Sequence, residues 1–166
     1  KEIPENGEDR HMPKSPNVTT YDLQPEMSSK EVTEQFVTAL HQGYDLIVVN
    51  YANPDMVGHT GDLEAAIKAC ESVDNGMGQV MAALKKVDGK MLLTADHGNC
   101  ETMIEPETQA PHTAHTLNLV PVSLINAGER QRLADGGRLC DIAPTLLELM
   151  RLEKPIEMTG ISLLRS

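Results

Sequence analysis

Hydrophobic residues recur at helical spacing in three stretches of the chain, residues 28–43, 62–87 and 141–150. The first stretch opens with a Ser-Ser-Lys-Glu sequence that fits a capping box, and a glycine ends it. The longest stretch contains Gly76 and Gly78, which indicate close packing or a local bend. The last stretch begins with an aspartate that is suited to cap a helix. We therefore predict three helices.

Short apolar runs between these stretches predict strands. Residues 46–49 are all apolar, as in a strand that is buried on both faces of a parallel sheet. Residues 91–95 and 120–125 predict two further strands. Because 46–49 and 91–95 flank the longest predicted helix, they predict a β-α-β unit, whose crossover is almost always right-handed. The expected fold class is α/β, a three-layer arrangement of a mostly parallel sheet with helices on both faces.

The first 27 residues differ in character from the rest of the chain. They are polar, contain four of the ten prolines and show no apolar periodicity. We therefore predict that residues 1–27 form an extended linker and that residues 28–166 form one domain or part of one. Because the chain begins at Lys1 rather than at a methionine, we expect it to be processed or to be a piece of a longer protein.

The charge and the composition narrow the range of partners. The chain has 25 acidic and 14 basic residues, a formal net charge of −11. Such a surface repels phosphate backbones and anionic headgroups, which argues against nucleic-acid and membrane partners. One Phe, three Tyr and no Trp leave little for base stacking. Three widely spaced cysteines argue against a disulfide scaffold and favour a cytoplasmic location.

Acidic and imidazole side chains follow the first two predicted strands. Because ligands gather beyond the carboxyl ends of strands in open α/β sheets, we expect these side chains in one crevice. Carboxylate oxygens and neutral imidazole nitrogens bind Mn²⁺, Zn²⁺, Fe²⁺ or Co²⁺, and a larger share of carboxylate favours Mg²⁺ or Mn²⁺. The candidates after the strands and in the next loop are Asp55, His59, Asp96, His97, His112 and His115.

The alternative is that Asp55 and Asp96 only cap the helices that follow them, with solvated histidines nearby. Two clusters of the same chemistry at consecutive strand ends favour the metal site. Cys100 and Thr60 are weaker candidates. We interpret Cys100 as a small buried residue or bystander, because no second cysteine lies at ligand spacing from it, and Thr60 as a helix cap rather than a phosphate acceptor.

The motifs around these residues resemble one enzyme family. They are VVNYANPDMVGHTG, LLTADHGNCETM, HTAHTLNLVPVSLIN and LCDIAPTLLELM followed by EMTGISL. They are similar to the carboxy-terminal part of the metal domain of cofactor-independent phosphoglycerate mutases, which belong to the alkaline phosphatase superfamily. The TYDLQPEMSSKEV segment resembles that family's return from an inserted substrate domain. The resemblance extends from about Gly7 to the end of the chain.

The resemblance implies a role for each candidate ligand. Asp55, His59 and His115 would bind one divalent ion, and Asp96 and His97 would supply part of the site for a second. The family uses two Mn²⁺ or Mg²⁺ ions to interconvert 3-phosphoglycerate and 2-phosphoglycerate, substrates of glycolysis and gluconeogenesis, through a phosphoserine intermediate. By the same match, the histidine three residues before His115 is a neighbour and not a ligand.

The resemblance also implies what this chain lacks. The family's nucleophilic serine, an aspartate of the second metal site and the residues that hold the substrate lie in segments without a counterpart here. We therefore expect a fragment that supplies metal ligands but no catalytic nucleophile and is inactive alone, with a sheet edge open to self-association. The alternative is a non-catalytic metal-binding or interaction module. The intact NYANPDMVGH and EMTG segments disfavour a related phosphatase, sulfatase or phosphopentomutase.

Overall fold

A computed structural model describes residues 3–165 of the chain. Lys1, Glu2 and Ser166, which include the start of the predicted linker, lie outside the described residues. The chain divides into two compact units. The first unit comprises the described residues up to Val87 together with Asn99–Thr116. The second comprises Asp88–Gly98 and the described residues from Leu117 onward.

The first unit is helical. A 3₁₀ helix at Tyr21–Leu23 precedes α1 (Ser29–Leu40), α2 (Asn53–Gly58) and α3 (Leu63–Lys86). The predicted helices at 28–43 and 62–87 are confirmed as α1 and α3, whereas the short helix α2 was not predicted. Among residues 3–165, no helix is both long enough and apolar enough to cross a bilayer.

Small side chains let α1 and α3 approach closely. Gly76 of α3 is buried, and a Cβ on it would lie 2.6 Å from Thr33 Oγ1 of α1. Thr33 Oγ1 also donates to the Ser29 carbonyl over 2.7 Å. The predicted close packing at Gly76 is therefore confirmed, whereas a Cβ on Gly78 would meet nothing within 4 Å. Both glycines lie inside one continuous helix.

The predicted capping box at the start of α1 is wrong. The Ser28 hydroxyl donates to the Lys14 carbonyl over 2.6 Å instead of accepting a helical N–H group. The Ser29 hydroxyl similarly donates to the Glu26 carbonyl over 2.8 Å. Both serines therefore tie the preceding polar segment to the helix. At α3 the cap follows the usual pattern, because the Asp62 carboxylate accepts the Ala65 N–H over 2.8 Å.

The prediction of a strand at 46–49 is wrong for the described chain. This segment pairs with no other strand among residues 3–165. Three of its four side chains are exposed, with Leu46 48% and Val48 81% exposed, and Ile47 is half-buried. An apolar run becomes a strand only when neighbouring backbone accepts and donates its hydrogen bonds, and none of the described residues provides such a neighbour. The predicted β-α-β unit therefore lacks its first strand.

The second unit contains two small antiparallel ladders. Strands β1 (Met91–Thr94) and β2 (Val122–Ile125) pair with Leu92 opposite Leu124. Strands β3 (Arg132–Leu133) and β4 (Leu164–Arg165) form the other ladder. The predicted strands at 91–95 and 120–125 are confirmed in slightly shorter form, but they pair antiparallel to each other. The predicted mostly parallel sheet is not confirmed by the described strands.

The last helix, α4 (Ile142–Leu149), confirms the prediction for 141–150. Asp141 precedes the helix, but its carboxylate does not cap α4. It accepts the N–H groups of Ile161 and Arg138, each over 2.8 Å. The aspartate therefore joins the start of the helix to the segment that runs toward β4. The hydroxyl of Thr145 extends this connection, because it accepts the Leu163 N–H over 2.9 Å.

We expect acid to weaken the second unit through Asp141. The hydrogen bonds from Ile161 and Arg138 hold the pKa of the Asp141 carboxyl below its ordinary value. A lowered folded-state pKa stabilises the fold above the unfolded pKa, and this stability is lost as the pH falls below about 4. Urea unfolding of the wild type and of Asp141→Asn between neutral and acidic pH checks this. The variant should be less stable at neutral pH and lose less on acidification. Parallel profiles of the two proteins would contradict the prediction.

Candidate metal centre

Helix α2 fixes the direction of two of the predicted ligands. Its first residue, Asn53, is buried, and its Nδ2 donates to the carbonyls of Pro25 over 2.9 Å and Glu26 over 2.7 Å. Proline follows in the first turn, where its missing N–H group costs nothing. Asp55 lies in the first turn and His59 directly after the last residue of the helix. A spacing of four residues places the two side chains on the same face.

Three predicted ligand atoms meet in the first unit. His59 Nε2 lies 3.1 Å from Asp55 Oδ1, and His115 Nε2 lies 3.0 Å from the same oxygen. The two Nε2 atoms are 3.1 Å apart. The three atoms therefore form a triangle with nearly equal sides. His115 completes it although it lies 56 residues after His59 in the sequence. The structure brings together the three residues for which the resemblance implies one metal ion.

A hydrogen bond on the far side of the His59 ring fixes which of its two nitrogens is the donor. His59 Nδ1 lies 2.7 Å from the carbonyl oxygen of Thr113. A carbonyl only accepts, so Nδ1 is the donor of this contact, and in a neutral ring the lone pair then lies on Nε2, which faces Asp55. A backbone carbonyl on the outer ring nitrogen is a common arrangement in metal-ligating histidines. The contact therefore leaves Nε2 as the ring nitrogen that faces the other two predicted ligands.

The triangle fits a divalent metal ion. Two neighbouring ligands of an octahedral ion with bonds of about 2.1 Å lie about 3.0 Å apart, close to each side of the triangle. One carboxylate and two imidazoles form a donor set that suits Mn²⁺, Zn²⁺, Fe²⁺ or Co²⁺. A carboxylate oxygen and lone pairs of imidazole nitrogen repel one another unless a cation or a proton lies among them. The observed convergence thus has a direct explanation in metal binding.

Asn99 supports the Asp55 carboxylate, and the sequence analysis did not identify it as a functional residue. Its Nδ2 donates to Asp55 Oδ1 over 2.8 Å and lies 3.4 Å from the Asp55 carbonyl. The residue is only 5% exposed, and its own N–H donates to Glu101 Oε2 over 2.7 Å. Gly58 leaves room for this amide, because a Cβ there would lie 2.2 Å from Asn99 Oδ1. In the sequence, the one signal for this role is the position of Asn99 directly after the predicted ligands Asp96 and His97 and one glycine.

His112 lies in the same loop as His115 but has different contacts. Its N–H donates to the Met103 carbonyl over 2.9 Å, next to the isolated bridge between Ile104 and Pro111. Its Nε2 lies 3.5 Å from Glu105 Oε1. Its Nδ1 is buried and has no hydrogen-bond partner among the described residues. The His112 imidazole thus faces Glu105, an acidic residue of the same loop.

Asp96 and His97 belong to the second unit and follow β1. His97 Nε2 lies 3.6 Å from Asp96 Oδ2, and the Asp96 side chain is 71% exposed. Their assignment to a second metal ion, and the crevice predicted to hold them together with Asp55, stay predictions.

Thr60 has a structural explanation, because its hydroxyl donates to the Val57 carbonyl over 2.7 Å, within the turn that ends α2.

Comparison with known proteins identifies relatives of the whole chain. It is 69% identical over 164 residues to 2,3-bisphosphoglycerate-independent phosphoglycerate mutase of Ruegeria sp. (strain TM1040), and 67% identical over 164 residues to the enzyme of that name from Agrobacterium fabrum. Each match covers 99% of this chain and 32% of the relative. The chain thus spans about a third of the length of these curated relatives, which confirms the predicted resemblance.

A solved structure agrees with the sequence matches. Crystal structures of Leishmania mexicana phosphoglycerate mutase at low cobalt concentration resemble this chain with a TM-score of 0.83 and 32% identity. The match covers 91% of this chain and 30% of that one, and it supports the predicted phosphatase-like α/β fold class. The sequence pattern of the Metalloenzyme superfamily matches residues 1–154. The chain therefore belongs to the Metalloenzyme superfamily and corresponds to a segment of its phosphoglycerate mutases.

Proposed function

We propose that this chain is the metal-binding segment of a 2,3-bisphosphoglycerate-independent phosphoglycerate mutase, and that Asp55, His59 and His115 hold one divalent ion. The carrying observation is the triangle of ligand atoms with sides of 3.0 to 3.1 Å. The identity of 69% to a named mutase supports the reaction class. Mn²⁺ or Mg²⁺ is the proposed ion, in line with the donor set.

Each residue of the site has a distinct role in this proposal. Asp55 supplies the negative charge, and the two imidazoles supply neutral donors. Asn99 orients the Asp55 carboxylate, and the Thr113 carbonyl orients His59. When bound, the ion neutralises charge on phosphoryl oxygens, which is the main requirement of phosphoryl transfer. The protein residues hold the site in place before the substrate arrives.

We further propose that Asp96 and His97 supply part of a second metal site. These two residues form an incomplete ligand set, so further donors would come from other parts of the whole protein. In the whole protein, 3-phosphoglycerate and 2-phosphoglycerate would be interconverted through a phosphoserine. The serine would lie outside this chain, so the chain alone should show no mutase turnover. We also propose a cytoplasmic location for the whole protein, which agrees with the three free cysteines of the described chain.

The apolar segment 46–49 belongs to the same proposal. It lines an open cavity of about 720 Å³ together with the polar lead-in and the side chains of Val32 and Phe36 in α1. We propose that 46–49 becomes a strand of a mostly parallel, three-layer sheet when the rest of the metal domain is present, with residues 1–27 as the connection from a substrate domain. In the chain alone, this exposed segment would favour self-association.

Calorimetric titration of the full chain with Mn²⁺ tests the proposal. We expect one site that survives dialysis and a second that fills only at high metal concentration, because only one ligand set is complete. At a free Mn²⁺ concentration of 100 times the dissociation constant of the tight site, the folded state should gain about 2.7 kcal/mol. Melting curves with and without metal measure that gain. Titration without a saturable site, or melting curves that metal does not move, would refute the proposed centre.

A further inference from the structure

The third proposed ligand, His115, lies in a hairpin loop of the first unit. This loop comprises Asn99–Thr116. Its two halves pair with each other where the His112 N–H donates to the Met103 carbonyl over 2.9 Å. The hairpin loop therefore has a first arm that ends at Met103 and a second arm that begins at His112.

Both arms of the hairpin loop contact the ligand triangle. In the first arm, Asn99 Nδ2 donates to Asp55 Oδ1 over 2.8 Å. In the second arm, the Thr113 carbonyl accepts a hydrogen bond from His59 Nδ1 over 2.7 Å, and His115 supplies a corner of the triangle. The shape of the triangle thus depends on how the two arms are held relative to each other.

The carboxylate of Glu101 connects the two arms. Its Oε2 accepts the Asn99 N–H over 2.7 Å, within the first arm. Its Oε1 accepts the hydroxyl of Thr116, in the second arm. Thr116 directly follows His115 in the sequence. One side chain therefore links the residue that supports Asp55 to the residue beside His115.

We propose that Glu101 is a positioning residue that holds His115 in the ligand triangle, an inference that rests on the proposed function. Asp55 and His59 lie on one face of α2, so the helix sets their separation before any ion binds. His115 is exposed and reaches the same point from a loop. A contact that fixes this loop beforehand reduces the conformational freedom that is lost when the ion binds, and affinity rises accordingly.

A glutamate is well suited to this role. Its two carboxylate oxygens accept hydrogen bonds from two donors at once, here a backbone N–H and a hydroxyl. Hydrogen bonds to an ionised acceptor are roughly twice as strong as those between neutral groups. Because Glu101 is exposed, its truncation to alanine removes both hydrogen bonds and leaves little cavity.

Calorimetric titration of Glu101→Ala with Mn²⁺ tests the proposal. We expect binding about 10- to 100-fold weaker than in the wild type, the range for outer contacts of a metal ligand. Glu105→Ala is the matched control, because it removes the same charge from the same loop but Glu105 faces His112. It should bind Mn²⁺ nearly as tightly as the wild type. Wild-type affinity of Glu101→Ala, or equal losses in both variants, would overturn the proposal. A loss as large as in His115→Ala would make Glu101 a ligand and overturn it too.

Variants of Thr116 test the connection between the arms. Thr116→Val removes the hydroxyl at nearly constant volume and should weaken Mn²⁺ binding about tenfold, whereas Thr116→Ser keeps the hydroxyl and should bind like the wild type. In Glu101→Ala, the further change Thr116→Val should add little, because the hydrogen bond is already absent. Additive losses, or equal affinities of the valine and serine variants, would show that this hydrogen bond does not position His115.

A metal-free measurement separates this inference from the proposed function. Hydrogen exchange followed by NMR should be faster at the Asn99 amide in Glu101→Ala, because its acceptor is gone. Exchange of the His112 amide, which donates to the Met103 carbonyl, should not change. Equal exchange at Asn99 in both proteins would overturn the role of Glu101. A wild type that binds no Mn²⁺ would refute the proposed function and, with it, any effect of Glu101 on the ion, whatever the exchange rates.

Discussion

Replacement of His115 with alanine is expected to remove the tight Mn²⁺ site while the metal-free fold persists. His115 Nε2 lies 3.0 Å from Asp55 Oδ1 and 3.1 Å from His59 Nε2, so it supplies one corner of the ligand triangle. Its side chain is 48% exposed, and its truncation therefore leaves little cavity. Loss of a direct ligand should weaken binding more than loss of an outer contact, that is, by more than about 100-fold. Calorimetry with Mn²⁺ measures the change.

Two other histidines provide controls for this experiment. His112→Ala removes an imidazole from the same loop, but its Nε2 faces Glu105. His11→Ala removes an exposed imidazole from the lead-in segment. Both variants should bind Mn²⁺ nearly as tightly as the wild type. Melting curves without metal separate loss of a ligand from loss of the fold. Equal Mn²⁺ affinity of His115→Ala and the wild type would refute the assignment of the three ligands.

Helices α1, α3 and α4 followed from the sequence because their signals are local. Apolar spacing alone placed α3 within a residue at each end. The strand at 46–49 could not be decided in the same way, because its apolar character does not reveal whether a partner strand is present. The pairing of β1 with β2 posed the same difficulty, since strand direction depends on contacts that are distant in sequence.

The candidate site also combines features that the sequence predicted with features that it did not predict. The four-residue spacing of Asp55 and His59 was readable directly, whereas the link to His115 came from the resemblance to a family. The hydrogen bonds of Asn99 and of the Thr113 carbonyl were not predictable, because they depend on how a loop folds over α2.

Alanine at Gly58 is expected to damage the metal site without touching a ligand. A Cβ there would lie 2.2 Å from Asn99 Oδ1 and 3.0 Å from Cys100 Sγ. Asn99 is buried, so its amide has to turn away and lose the hydrogen bond to Asp55 Oδ1. We expect Mn²⁺ affinity to fall by about 10- to 100-fold. The overpacking should cost about 1–3 kcal/mol of unfolding free energy.

The Gly58 prediction has a control in α3 and a test of its cause. Gly78→Ala adds the same methyl group into open space and should leave Mn²⁺ affinity unchanged while it stabilises the helix. Asn99→Ala should weaken Mn²⁺ binding on its own. Because both substitutions remove the same hydrogen bond to Asp55, the double variant should lose much less affinity than the two losses combined. Simple additivity, or wild-type affinity in Gly58→Ala, would show that Asn99 does not position the Asp55 carboxylate for the metal.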